Sequence, residues 1–152
     1  MKRKKLNIGV VGIGYLGKYH LEKFISNKQC DTKWVVDTNL DNINLNGHDS
    51  IQKSSNYKEI LNDIDAISLV TPTKMHFKIA KFFLENKKHV LIEKPMTETV
   101  AQAKKLVDLA KKNKVILQVG HLERFNPVMK RLAKEISDPL FIEVHRLAKF
   151  NP

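Results

Sequence analysis

The run Gly12-Ile13-Gly14-Tyr15-Leu16-Gly17 constrains this chain's fold more than any other stretch, because of what flanks it. Residues 6–11 form a short apolar segment of strand type, and from Tyr15 to Ile25 apolar side chains recur at helical spacing. Residues 34–37 resume strand character, which closes a βαβ unit of about the usual 30 residues. In such a unit the first glycine permits the turn, the second leaves room for a phosphate, and the third lets helix and strand approach. The helix N-terminus adds free amides and a positive dipole end. Gly12, Ile13, Gly14, Tyr15, Leu16 and Gly17 are therefore candidate pyrophosphate contacts, with a ligand-free glycine turn as the competing reading. Asp37, at the end of the second strand, is placed to accept from ribose hydroxyls and to repel a 2′-phosphate. Thr38 and Asn39 follow it rather than an arginine, which favours NAD over NADP; an ordinary surface-turn aspartate is the alternative.

Residues 38–56 are polar and read mostly as loop, and Asn56 with Glu59 has capping-box spacing for a short helix holding Ile60 and Leu61. Regular alternation follows. The pattern predicts a strand at 66–70, a loop at 71–73, a helix through Met75, Ile79 and Phe83, and a strand at 89–92. Glu93-Lys94-Pro95 is its exit loop, and Thr97 is a suitable N-cap for a helix ending near Lys112. A strand at 115–119, a loop to Asn126 and a helix from Pro127 to about Ile136 complete the series. Strand-helix alternation with nearly continuous apolar strands implies an α/β fold, a doubly wound parallel sheet of five or six strands of the Rossmann kind. Residues 140–147 alternate apolar with polar, as a half-buried strand of another sheet would. The reading is thus a dinucleotide-binding domain over 1–137, with 138–152 as the first strand of a β-rich domain.

Charge raises one rival. A net charge of +11 fits nucleic-acid binding, yet the lysines are spread over every helix surface and the one dense run, Lys2-Arg3-Lys4-Lys5, precedes the first strand. Nucleic acid is therefore not expected as a partner. The single cysteine, Cys30, excludes an intramolecular disulfide and points to a reducing cytoplasm. No apolar run approaches the roughly 20 residues of a membrane span. His20, His48, His89 and His145 lack metal-ligand spacing, so no metal is assigned.

Ligands of an open α/β sheet lie outside the carboxyl ends of the strands, which brings Thr71-Pro72, Glu93-Lys94-Pro95 and Gly120-His121 to one crevice. A lysine there can polarise or deprotonate a substrate hydroxyl, whereas most lysines are solvated surface groups. The glycine run with His20, Thr71-Pro72 with His76, Glu93-Lys94-Pro95, and Gly120-His-Leu-Glu-Arg-Phe-Asn-Pro127 together resemble the glucose-fructose oxidoreductase/inositol dehydrogenase (Gfo/Idh/MocA) family. The resemblance runs over essentially the whole chain. It implies that Lys94 is the lysine assisting hydroxyl oxidation, that Thr71, Pro72, His76 and Glu93 border the cofactor, and that NAD is that cofactor. The last motif is similar to members acting on UDP-linked amino sugars, which makes His121, Glu123, Arg124 and Asn126 candidate contacts for a sugar or its phosphate. A helix-entry loop whose polar groups merely satisfy backbone is the competing reading.

Members of that family continue for a comparable length into a mostly β domain carrying a catalytic histidine or aspartate, most substrate contacts and usually the oligomer interface. The resemblance therefore implies that the substrate domain is absent or truncated here, with little turnover by the 152 residues alone. The alternative is a non-catalytic dinucleotide-binding module, or half of a split enzyme. Either would form a homo-oligomer or join a complementing chain through the 140–147 strand.

Overall fold

The computed structural model describes residues 4–45, 47–145 and 147. The chain divides into two units, residues 1–120 and 121–152. In the first, strands β1 (Leu6–Val11), β2 (Cys30–Val36), β3 (Gln52–Ser54), β4 (Ala66–Leu69), β5 (His89–Ile92) and β6 (Leu117–Val119) form one sheet. Its spatial order is β3-β2-β1-β4-β5-β6 with every pairing parallel. The chain runs outward from β1 to one edge and then returns to start again at β4 beside it. A crevice opens at that switch point, at the carboxyl ends of β1 and β4.

Three helices cover the sheet: α1 (Tyr15–Ser26), α2 (Thr73–Glu85) and α3 (Val100–Asn113). The strand pleat sends successive side chains to opposite faces, and both faces are apolar. Ile8, Val10 and Val35 pack with Leu21 of α1 in one buried cluster. Their neighbours Val11 and Val36 join Ile79 and Phe83 of α2 and Leu106 of α3 in the other. The continuous apolar strands thus follow from a sheet with helices on both sides.

Several local expectations are corrected. The polar stretch after Asp37 contains β3, which pairs Trp34 with Gln52, Val35 with Lys53 and Val36 with Ser54. The segment after Asn56 is a single 3-10 turn, Glu59–Asn62, rather than a capped α-helix. The Glu59 carboxylate accepts from Ser54 Oγ at 2.5 Å, and the Asn56 backbone N–H donates to that same hydroxyl, so the reciprocal capping-box bond is not made. Thr99 replaces Thr97 as the cap of α3: its Oγ1 accepts from Gln102 N, while the Thr97 hydroxyl donates to the Thr99 carbonyl. The strand expected over 140–147 is not formed across its described residues. An alternating segment becomes a strand only when a neighbouring strand completes its ladder, and residues 140–145 have no such partner among the described residues.

The second unit contains a 3-10 turn, Leu122–Phe125, and helix α4 (Pro127–Glu135). Proline opens the helix where no intrahelical N–H is needed, and Asn126 Oδ1 caps it by accepting from Val128 N at 3.0 Å.

Candidate functional site

The glycine turn is built by exclusion of side chains. Gly12 has φ +93°, and a Cβ there would stand 2.8 Å from the backbone of Val70 and Thr71. A Cβ on Gly17 would collide with the Gly12 carbonyl oxygen, so the first turn of α1 sits directly against the turn. Gly14 is different: nothing lies within 4 Å of its Cβ position. That open side faces the start of a helix with no side-chain cap and no acidic residue in its first turn. Free amides, a positive dipole end and room beside the backbone together suit an anion such as a pyrophosphate.

A crevice of about 830 Å³ extends from this turn across the sheet. Its wall includes Gly12, Gly14, Tyr15, Leu16, Asp37, Thr71, Pro72, Glu93 and Lys94, so most of the expected cofactor residues are brought together. Three others support it from below. The Ile13 side chain is buried in the core, Gly17 packs against Gly12, and His76 is buried beneath the loops. Sequence reasoning missed Ser55, Asn56 and Tyr57, which also border the crevice. They follow β3, whose polar Gln52-Lys53-Ser54 sequence carries little strand signal. A smaller cleft of about 460 Å³ near Lys18, Glu22 and His48 has no comparable glycine turn.

Asp37 stands at the carboxyl end of β2 with its carboxylate already partly engaged. Oδ2 accepts from the Ile13 N–H at 2.7 Å and Oδ1 from the Asn39 N–H at 3.0 Å. Each carboxylate oxygen can accept more than one hydrogen, so acceptor capacity remains for a ribose. The same bonds fix the glycine turn relative to β2. Thr71 Oγ1, further along the crevice, is buried without a hydrogen-bond partner. A buried hydroxyl in that condition is costly unless a ligand or water meets it. The open Gly14 side, the uncapped amides and the Thr71 hydroxyl therefore fit a dinucleotide.

At the other end, Glu93 is buried and Lys94 is exposed. Glu93 Oε2 accepts from the Lys94 N–H at 3.1 Å, and its Oε1 lies 3.2 Å from His20 Nε2. Gly120, at the end of β6, gives this carboxylate its space, since a Cβ there would clash with Oε1.

His121, Glu123, Arg124 and Asn126 fall in the second unit, where the first three are exposed. Asn126 Nδ2 donates to Glu123 Oε2 at 2.9 Å while its Oδ1 caps α4, so two of the four serve the helix entry. Among the described residues no His, Cys, Asp or Glu cluster could hold a metal, and no helix is long and apolar enough to cross a membrane. Cys30 is half-buried and burial pushes its thiol up, which disfavours the reactive thiolate.

Residues 6–121 match the model of the Gfo/Idh/MocA oxidoreductases, described as an NAD-binding Rossmann fold. The chain belongs to that family. Gfo/Idh/MocA relatives include the UDP-N-acetylglucosamine 3-dehydrogenase of Acidithiobacillus ferrooxidans, 31% identical over 97% of this chain. The match spans 47% of that relative, so the chain covers about half the length of such proteins. The solved structure of the same enzyme has a TM-score of 0.77 at 30% identity, over 86% of this chain and 43% of its own. A second Gfo/Idh/MocA relative, the scyllo-inositol 2-dehydrogenase (NAD(+)) of Bacillus subtilis, is 31% identical over 90% of this chain and 43% of its own length. GenD2, from gentamicin A biosynthesis and solved in complex with NAD, has a TM-score of 0.71 at 27% identity, over 79% and 35%.

Proposed function

We propose that the crevice binds NAD(H) and that this chain is the cofactor-binding part of a dehydrogenase oxidising a sugar hydroxyl, with UDP-linked amino sugars as the favoured substrate class. The observation that carries the reading is that one crevice joins the glycine turn, the Asp37 carboxylate and Lys94. The turn and the first amides of α1 take the pyrophosphate, Asp37 takes the adenosine ribose and disfavours a 2′-phosphate, and the nicotinamide end falls toward β4 and β5. When bound, the nicotinamide supplies the hydride acceptor. Lys94 assists by taking up the proton of the hydroxyl being oxidised. The identities of the A. ferrooxidans and B. subtilis relatives support a carbohydrate-like substrate.

A second reading, a dinucleotide-binding half that needs a complementing chain, is favoured by one observation. Leu140, Phe141, Val144 and Leu147 are each at least 80% exposed, a run of apolar side chains of the sort that protein contacts cover.

Asp37→Asn tests the first reading. The variant keeps one carbonyl oxygen for the Ile13 amide and loses the charge. NADH affinity should fall about tenfold, the loss of one charge-assisted hydrogen bond, while NADPH affinity holds or improves. Unchanged NADH affinity in a fluorescence titration would remove Asp37 from the site.

A further inference from the structure

Two buried or half-buried histidines hold the Glu93–Pro95 segment from different helices, and their hydrogen-bond partners differ in kind. His76 of α2 is 1% exposed. Its Nε2 lies 2.8 Å from the Thr71 carbonyl oxygen and its Nδ1 lies 3.0 Å from the Pro95 carbonyl oxygen. Both partners are backbone carbonyl oxygens, one after β4 and one after β5, so a single buried ring ties the two loops together.

His20 of α1 meets different demands. Its Nε2 faces the Glu93 carboxylate and its Nδ1 lies 2.8 Å from Ser68 Oγ, on the fully buried Ser68 of β4. A carboxylate accepts and a hydroxyl can either donate or accept, so both ring nitrogens have a partner. Glu93 then holds the Lys94 N–H with its other oxygen.

We propose that His76 is a clasp joining the loops after β4 and β5, that His20 with Ser68 anchors Glu93, and that both histidines are positioning residues for Lys94. Pro95 and Glu93, the two neighbours of Lys94 in the chain, are fixed by different rings, so the lysine's backbone is held on both sides. The clasp also links Thr71, which borders the crevice, to the lysine loop. This deepens the cofactor reading and rests on it only for the role of Lys94.

The test begins with the ring N–H protons of the ¹⁵N-labelled native chain. A His76 ring N–H held by a backbone carbonyl should exchange with water at least about tenfold more slowly than that of the exposed His121. Equal exchange at the two rings overturns the clasp. The second measurement compares NADH with ADP-ribose, which lacks the nicotinamide end, on the native chain and on His76→Gln. The glutamine amide donates from one nitrogen and cannot span both carbonyls as the ring does. NADH affinity should fall about tenfold and ADP-ribose affinity by no more than about twofold, as for one lost hydrogen bond confined to one end of the crevice. Equal losses for both ligands would assign His76 a merely structural role and overturn the proposal. If the native chain binds no NADH, the cofactor reading falls while the ring N–H exchange still decides the clasp; the same exchange decides it if His76→Gln does not fold.

Discussion

Gly17→Ala should destabilise the chain by about 3 kcal/mol and abolish ordered dinucleotide binding, although alanine is the better helix former. Gly17 lies in the first turn of α1, where helix propensity alone favours alanine by about 1 kcal/mol. Packing decides the sign. The added Cβ meets the Gly12 carbonyl oxygen, a backbone atom fixed by a Gly12 N–H bond to Val36 and by the tight approach to Val70 and Thr71. Relief requires α1 to move off β1, which carries its first-turn amides away from the open side of Gly14. A thermal midpoint lower by roughly 10 °C is the expected sign of that displacement. A midpoint equal to or above the native value would show that the turn tolerates a side chain.

Lys94→Met should separate binding from chemistry. NADH affinity should stay within about twofold, because the turn and Asp37 carry the binding, while kcat for sugar oxidation falls by about 10² or more with the loss of a proton acceptor. Methionine has a similar reach and no proton to exchange, so the loop itself is little disturbed. Steady-state rates with UDP-N-acetylglucosamine and inositols check this. They are measured on the chain alone and on the chain joined to the C-terminal half of the A. ferrooxidans relative. A kcat unchanged by the substitution would leave Lys94 as one of the chain's many solvated lysines.

The features read most directly from the sequence are those set by local chemistry. The glycine turn, β1, β5 and the proline start of α4 lie where spacing and turn residues place them, because each depends on neighbours within a few positions. β3 was hidden because Gln52-Lys53-Ser54 is a short polar edge strand whose only buried residue is Ser54. Thr97 and Thr99 have the same capping chemistry, and only the path of the chain after Pro95 chooses between them.

The support of the lysine loop was less legible still. His20 meets Ser68 across 48 residues of sequence, and no periodicity relates them. His76 stood out only through its place in a family motif, whereas its two carbonyl partners depend on where two loops end. Asp37 could be read as a ribose contact, but its bond to the Ile13 amide, which ties the glycine turn to β2, exists only once both strands are paired.

A calorimetric titration of the native chain with NADH and with NADPH at fixed salt tests the central claim most directly. Saturable NADH binding, with NADPH weaker by about tenfold because Asp37 repels its 2′-phosphate, is the predicted result. Binding of neither would mean that the glycine turn and its crevice are a retained fold without a cofactor to hold.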